Sequence, residues 1–262
     1  MTFFLLLTRN LLALKTSCYY TSASVFDSPF NLLHLLNLSS TDEFLQLTKQ
    51  THARVLFLGF TQSPFLASKL LSLYPSFGHL TESKTIFDSV EDKNVYLWNS
   101  MINGYLKCSS YVEAFDLFCK MGSFNIKPDD FTLATVSKVT GEIKDLVAGK
   151  LVHCKSIKTG FVMDIVVSNS LISMYGKCGV FEEMKNVFDE MCERNVGSWN
   201  ALISGYSNSG DWRLVKDLWE VVKNMQLDGM KLNGFTISSL LPLSGGDGTW
   251  GCNYGRNFIF IF

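Results

Sequence analysis

The feature that most constrains the fold of this chain is an internal repeat with a period of 101 residues. Of the 66 positions from His52 to Leu117, 20 are identical to the residue 101 positions later. Gly59-Phe60 matches Gly160-Phe161, and Trp98-Asn99 matches Trp199-Asn200. Self-similarity at a fixed period indicates a repeat architecture, in which each unit packs mainly against its neighbours.

Helical spacing identifies smaller units inside each period. From Val95 to Asp129, apolar residues recur at helical spacing in two stretches separated by Ser109-Ser110. The first stretch contains Trp98, Met101, Ile102 and Tyr105, and the second contains Ala114, Leu117, Phe118 and Met121. Two such stripes predict a helix–turn–helix hairpin of 35 residues. The stripe residues, including Trp98 and Trp199, are predicted to form the core.

Three kinds of hairpin make up the long period. Residues 29–63 and 130–164 form one kind, 64–94 and 165–195 a shorter kind, and 95–129 and 196–233 a third, with 234–244 beginning another copy of the first. The copy at 196–233 is three residues longer than its counterpart, with the extra length around Glu220–Met225. No hairpin can bury its own stripes, so the sequence predicts an all-α fold, a right-handed α-solenoid of stacked hairpins with a concave surface.

Composition and charge narrow the functional classes. The chain has 262 residues, of which 47% are hydrophobic and 18% charged, which is typical of an ordered protein. A net charge of −1 argues against a broad basic patch, so any nucleic-acid contact must depend on individually placed side chains. The seven cysteines are widely spaced without a C-x-x-C pair, which favours buried thiols, Cys108 and Cys119 among them, over disulfides or a zinc site.

Both ends of the chain differ from the repeats. Residues 1–28 contain Arg9 and Lys15 but no acidic residue before Asp27, which is typical of an organelle transit peptide, with a disordered leader as the alternative. Arg9 interrupts the apolar run, so neither a secretory signal nor a membrane span is expected. Residues 245–262 form an apolar tail where a polar terminal cap is expected, and we interpret it as the mark of a truncated or misread longer array.

The repeat units resemble those of a known family. The segments VYLWNSMINGY, GKLVHCKSIKTGF and NSLISMYGKCG are similar to plant pentatricopeptide-repeat proteins, in the subclass that alternates long, short and standard motifs. The similarity covers about residues 29–244. It implies a sequence-specific binder of single-stranded organellar RNA, in the mitochondrion or alternatively the chloroplast. Each repeat in such proteins reads one base with two or three side chains, without a cofactor.

The resemblance also implies which side chains read the bases. In this family the fifth and last residues of a short or standard motif select the base, and the second residue packs beside it. The fifth and last residues here pair Ser68 with Asn94, Asn99 with Asp129, Asn169 with Asn195, and Asn200 with Asn233. The second residues are Phe65, Tyr96 and Val166, and Gly197 in the last motif. The long motif, with Ala134 and Asp164, is usually not a reader, so the expected RNA core is 5′-A-U-N-Y-Y.

The chemistry of these side chains suits base reading. An Asn amide offers donors and an acceptor, an Asp carboxylate only acceptors, and a Ser a single hydroxyl, so different pairs can prefer different bases. Apolar neighbours stack on the base face. Gly197 departs from the pattern because it cannot sandwich a base, and the three extra residues can displace Asn233 from its register. The alternative interpretation is a solvated polar position near a helix start, where Asn is common.

No catalytic pattern accompanies the repeats. The histidines lack the H-x-E context of a zinc deaminase, no glycine-rich phosphate loop is present, and His52 and His153 are interpreted as packing or surface residues. The chain is therefore expected to be a non-catalytic specificity factor in organellar RNA editing, modification or processing. Editing or processing factors would supply catalysis in trans, and neither a membrane nor DNA is an expected partner. A protein–protein scaffold and a non-functional truncated fragment are the alternatives.

Overall fold

The computed structural model describes residues 28–38 and 45–240, apart from the side chain of Trp212. Residues 1–27 of the predicted transit peptide lie outside the described residues. So do residues 241–244 of the partial long motif and the whole apolar tail.

Within the described residues all regular secondary structure is helical, which confirms the predicted all-α class. The helices are α1 (Pro29–Leu38), α2 (Leu45–Phe57), α3 (Pro64–Ser76), α4 (Leu80–Ser89), α5 (Val95–Lys107), α6 (Tyr111–Ser123), α7 (Asp130–Glu142), α8 (Leu146–Thr159), α9 (Ile165–Lys177), α10 (Phe181–Asp189), α11 (Val196–Ser207), α12 (Val215–Leu227) and α13 (Gly234–Leu240). Short 3₁₀ turns lie at Phe60–Gln62, Phe161–Met163 and Trp212–Leu214. In the described part, no helix has both the length and the apolar character needed to cross a membrane.

The helices fall into two compact units, residues 1–104 and 105–262, which are described separately. In the described part of the first unit, the Trp98 ring is buried and meets the edge of Phe87 at a centroid distance of 5.2 Å. In the second unit, the buried Trp199 meets Phe188 in the same way at 4.7 Å. Both tryptophans are therefore core residues, as the apolar stripes predict.

A histidine and a tyrosine join neighbouring hairpins within each unit. His52 Nδ1 lies 2.9 Å from the Tyr74 hydroxyl, and His153 Nδ1 lies 2.8 Å from the Tyr175 hydroxyl. Each pair of rings is T-shaped with centroids 5.6 Å apart. Burial lowers the pKa of both histidines and is the main cause that raises the pKa of both tyrosines to about 12. These histidines are packing residues.

Two glycines mark a very close approach of helices in the second unit. A Cβ added to Gly176 of α9 would lie 2.8 Å from the Cα atom of Gly205 in α11. In the first unit a Cβ on Gly104 of α5 would lie 2.9 Å from Cγ of Pro75, near the end of α3. Only a residue without a side chain fits at Gly176 without moving the backbone, whereas a Cβ on Gly205 would first meet the side chain of Met184.

The expectation of buried cysteines is wrong for the described residues. Cys119, Cys154 and Cys192 are exposed, Cys108 and Cys178 are half-buried, and all five are free thiols. Cys119 follows Phe118 directly and precedes Met121 by two positions, so it lies off the apolar stripe of α6. A side chain turned away from the stripe remains in solvent. Cys18 and Cys252 lie outside the described residues.

Candidate nucleic-acid interface

In every hairpin except 196–233, which has Gly197 there, the second residue of the first helix leaves an apolar side chain in solvent. Phe65, Tyr96 and Val166 are 75%, 68% and 59% exposed, as expected of side chains available for stacking. The long motifs carry exposed Phe30, Phe131 and Phe235 at the same helix position, which the sequence interpretation did not single out. Their signal was present in the sequence, since each is the second residue of its motif.

The last residue of each reading motif caps the helix that follows it. The Oδ1 atom of Asn94 accepts a hydrogen bond from the backbone N–H of Leu97 at 3.1 Å. In Asp129, Asn195 and Asn233, the Oδ1 atom accepts from the N–H of the third residue of the next helix at 2.8, 3.0 and 2.9 Å. These third residues are Thr132, Ser198 and Thr236. All four last residues are therefore held at a fixed place by N-capping.

In three of these caps the bond is reciprocal. The hydroxyls of Thr132, Ser198 and Thr236 accept from the backbone N–H of the capping residue at 3.2, 3.3 and 3.2 Å. This capping box uses Oδ1 of the last residue for the helix. The other terminal atom of the side chain remains for a ligand. It is Nδ2 in Asn, which only donates, and Oδ2 in ionised Asp, which only accepts. Asn and Asp at this position therefore differ in what they can offer to a ligand.

The fifth residues lie in the first turns of the same helices and are partly or fully buried. Asn99 and Asn200 are buried, at 5% and 7% exposure, whereas Ser68 and Asn169 are half-buried. The Ser68 hydroxyl donates to the carbonyl of Phe65 at 3.0 Å. Because three of these four are amides with short side chains, their orientation depends on the groups packed around them.

The structure brings two of the predicted pairs together in the second unit. Asn200 Nδ2 donates to Asn233 Oδ1 at 3.4 Å. Asn169 and Asn195 flank Gly197, because a Cβ added there would lie 3.4 Å from Asn169 Nδ2 and 2.9 Å from Asn195 Oδ1. The fifth residue, the last residue and the second position of the next motif thus border one small region.

The other two pairs differ. Ser68 and Asn94 belong to the first unit, where the hydroxyl of Ser68 bonds within its own turn and Asn94 caps α5. Asn99 belongs to the first unit and Asp129 to the second. Asn99 is buried in α5, and Asp129 caps α7.

The three extra residues of motif 196–233 leave Asn233 at the cap of the following helix. Left-handed residues bracket the second helical segment in each standard motif, at Ser109 and Asn125 and again at Gly210 and Gly229. The second bracket is three residues longer, and the 3₁₀ turn Trp212–Leu214 precedes α12 inside it. α6 and α12 both have 13 residues, so the extra residues form the 3₁₀ turn before α12 and do not lie around Glu220–Met225, where the sequence analysis put them. Asn233 keeps both its capping role and its contact with Asn200.

Among the described residues, no group of three or more His, Cys, Asp or Glu side chains could hold a metal ion. The exposed ion pair of Lys177 with Glu142, at 2.6 Å, joins the C-terminal ends of α9 and α7, away from the helix starts. The candidate readers themselves are uncharged apart from Asp129, so the interface offers directional hydrogen bonds more than bulk charge.

Comparisons with known proteins agree with one another. The model of the PPR repeat matches residues 166–196 and 197–227, and that of the PPR repeat family matches residues 93–138. A pentatricopeptide repeat-containing protein of Arabidopsis thaliana is 33% identical over 232 residues, which cover 88% of this chain and 32% of the relative. A chloroplastic Arabidopsis thaliana protein of the same description is 32% identical over 223 residues, which cover 85% of this chain and 27% of that relative. The chain thus spans about a third of these relatives.

A solved structure shows the same fold. The crystal structure of the pentatricopeptide repeat protein PPR10, in complex with an 18-nucleotide psaJ RNA element, matches with a TM-score of 0.71 and 20% sequence identity. The match covers 88% of this chain and 34% of that one. The predicted α-solenoid of stacked hairpins is therefore confirmed as the fold.

Proposed function

We propose that this chain, a pentatricopeptide-repeat protein, binds single-stranded RNA sequence-specifically and acts as a specificity factor in organellar RNA editing or processing. The observation that carries the proposal is the meeting of the fifth and last residues in motifs 165–195 and 196–233. The RNA bound to the structurally similar PPR10 supports a nucleic acid as the partner. One nucleotide per hairpin is the mode of recognition that such repeats use.

The capping geometry explains how the last residue can distinguish pyrimidines. Because Oδ1 is bonded to the following helix, Asn195 and Asn233 offer Nδ2, a donor that suits the N3 acceptor of cytosine. A carboxylate at the same position, as in Asp129, offers an acceptor that suits the N3–H of uracil. The helix cap thereby turns a one-atom difference in the side chain into a choice of base.

The exposed second residues supply affinity without sequence preference. Phe65, Tyr96 and Val166 lie at the start of their helices, where a base read by a neighbouring pair can stack against them. Each stacked base contributes about 1–3 kcal/mol by the effect of alanine substitution in single-strand binders. The stacking side chains then hold the base, and the polar pair selects it.

The four reading pairs together give the expected RNA target. With Ser68/Asn94 reading adenine, Asn99/Asp129 uracil, and the two Asn/Asn pairs pyrimidines, the RNA core is 5′-A-U-N-Y-Y. We assign the chain to the subclass with alternating long, short and standard motifs, from the unequal hairpin lengths. We place it in the mitochondrion, or alternatively the chloroplast, with editing or processing factors supplying catalysis in trans.

The test is a titration of the full chain with labelled single-stranded RNAs of equal length. We expect the RNA with the 5′-A-U-N-Y-Y core to bind at least about tenfold more tightly than a scrambled RNA, since one hydrogen bond of typical net strength is worth a factor of about five. Equal Kd values for the two RNAs at moderate salt would contradict the proposal.

A substitution assigns the preference to one side chain. Asn99→Ala should relax the base preference at the second core position and leave the other positions unchanged. Asn224→Ala is the matched control, because Asn224 is an exposed asparagine on α12, outside the helix starts. Loss of preference in the control would show that the effect is not specific to the reading register.

A further inference from the structure

Two reading pairs have the same composition but different surroundings. Asn169 with Asn195 and Asn200 with Asn233 are both pairs of asparagines, each followed by a helix that the last residue caps. The Thr236 hydroxyl has two acceptors within reach, Asn200 Oδ1 at 2.7 Å and Asn233 Oδ1 at 2.9 Å, and Asn200 is the nearer. Thr236 is fully buried, and Asn200 is 7% exposed. The orientation of the Asn200 amide is therefore determined by a buried partner.

The Asn169 amide has no such partner. Its Oδ1 atom is buried and accepts no hydrogen bond from any described residue. The third residue of the next helix is Ser198, whose hydroxyl donates to Asn195 Oδ1 at 3.3 Å as part of the capping box. An amide without a bonding partner can exchange the places of its oxygen and nitrogen by rotation.

We propose that the third residue of the following motif is a positioning residue that fixes which amide atom the fifth residue presents to the base. Thr236 holds the oxygen of Asn200 inward, so the pair Asn200/Asn233 offers donors only. Ser198 leaves the Asn169 amide unfixed, so the pair Asn169/Asn195 can offer a donor or an acceptor. This inference rests on the proposed base-reading function and adds a residue to it.

Rotation of the Asn200 amide is opposed from two sides. It would turn Nδ2 towards the Thr236 hydroxyl and so remove the bond in which Asn200 Oδ1 accepts from that hydroxyl at 2.7 Å. It would also bring the Asn200 oxygen towards Asn233 Oδ1, which now accepts from Asn200 Nδ2. Two acceptor oxygens facing one another leave both without a donor.

The difference has a consequence for base choice. On the Watson–Crick edge, pyrimidines present two acceptors, N3 and O2 in cytosine or O2 and O4 in uracil. Each purine presents one acceptor there, N1 in adenine or O6 in guanine. A pair that offers only donors therefore selects pyrimidines strongly, whereas an amide that can also accept from an exocyclic amine discriminates less. The fifth core position should exclude purines more sharply than the fourth.

The experiment measures purine-to-pyrimidine discrimination at the fourth and fifth core positions with the full chain and synthetic RNAs. Thr236→Val removes the hydroxyl and keeps the shape of the side chain. We expect it to lower discrimination at the fifth position about tenfold, while the fourth position changes less than about threefold. Thr236→Ser, which keeps the hydroxyl, should retain most of the discrimination.

The reciprocal variant keeps the inference falsifiable if Thr236→Val weakens the fold. Ser198→Thr introduces the stiffer β-branched hydroxyl of the other motif and should raise discrimination at the fourth position. A Thr236→Val protein with a lowered melting temperature and unchanged discrimination would overturn the inference, as would Ser198→Thr with an unchanged fourth position. If the unsubstituted chain shows no base preference, the proposed function itself is contradicted. If it shows a preference that these variants do not alter, only the positioning role is contradicted.

Discussion

The two copies of the 101-residue repeat keep the same interior contacts and differ at the helix starts. Both copies have the histidine–tyrosine bond and the edge-on contact between phenylalanine and tryptophan. Both also place a cation over the phenylalanine ring, Lys93 over Phe87 and Arg194 over Phe188. Interior contacts thus tolerate little change between copies, because each hairpin must pack on its neighbours.

The helix starts show the opposite behaviour. Phe65 and Tyr96 of the first copy correspond to Val166 and Gly197 of the second, and Ser68 corresponds to Asn169. Asn94 and Asn99, in contrast, are identical to Asn195 and Asn200. The changed positions border the proposed base-binding region, so we expect their variation to alter what is bound without disturbing the fold. Substitutions in the interior should therefore change stability, and substitutions at the helix starts should change binding.

The largest effect is expected where helices approach most closely. Gly176→Val should destabilise the protein by about 3 kcal/mol, because its Cβ would lie 2.8 Å from the Gly205 Cα atom and the backbone would have to move. Gly122→Val is the matched control, since nothing lies within 4 Å of a Cβ at that helical glycine. Its stability should stay within about 0.5 kcal/mol of the original. Urea unfolding measures both, and equal losses would contradict the close approach.

The second effect concerns binding and compares Tyr96 with its counterpart Gly197. Tyr96→Ala should weaken binding of the core RNA by about 1–3 kcal/mol without changing base preference, because it removes a stacking surface. Gly197 already lacks that surface, and a Cβ there would lie 2.9 Å from Asn195 Oδ1, so Gly197→Ala should instead disturb the pair Asn169/Asn195 and change base preference at the fourth core position. Phe124→Ala provides a control at an exposed aromatic residue outside the helix starts. If Tyr96→Ala and Phe124→Ala weaken binding equally, the second position has no special part in RNA binding.

The third effect is on stability in one copy. Tyr175→Phe removes the hydroxyl that bonds His153 and should cost about 1 kcal/mol of unfolding free energy, the usual net value of such a bond. Tyr74→Phe should cost a similar amount through His52. Tyr111→Phe tests a tyrosine whose hydroxyl makes a longer, 3.3 Å bond on the exposed surface, and it should cost less. Equal values for Tyr111 and Tyr175 would show that the repeated bond adds no stability.

The sequence was sufficient for the elements whose signal is local. Apolar periodicity located the stripe that buries Trp98, and the 101-residue period located its counterpart at Trp199. The helix caps were also visible as Asp129-x-x-Thr132 and Asn233-x-x-Thr236, although the sequence interpretation did not use them. Asp or Asn three positions before a hydroxyl residue is a local signal for a helix start.

Other features depend on packing between distant residues and had no local signal. The bond between Thr236 and Asn200 joins positions 36 apart and exists because α13 packs against α11. The three extra residues at 196–233 likewise had no local signal for their place, because they form a 3₁₀ turn before α12 between the left-handed Gly210 and Gly229. Cys119 is a different case, because its place off the apolar stripe of α6 does predict exposure, whereas residue type alone predicted burial.

The smallest effect is a pH dependence that differs between the two copies. Burial lowers the pKa of His52 and of His153, so the folded protein keeps both neutral at pH values where the unfolded chain begins to bind protons. The unfolded state then binds more protons below the ordinary pKa of about 6.5, so stability is full above that pH and declines as the pH falls.

The two histidines differ in the carboxylates around them. Glu190 and Glu183 raise the pKa of His153 and so oppose the lowering by burial, whereas burial is the cause that acts on the pKa of His52. His52→Gln should therefore flatten the melting temperature between pH 7.5 and 5.5 more than His153→Gln, by about 1–2 °C. His34→Gln, at an exposed histidine of α1, supplies the background slope. If His153→Gln reduces the pH dependence of the melting temperature more than His52→Gln does, the nearby carboxylates do not offset the effect of burial on the pKa of His153.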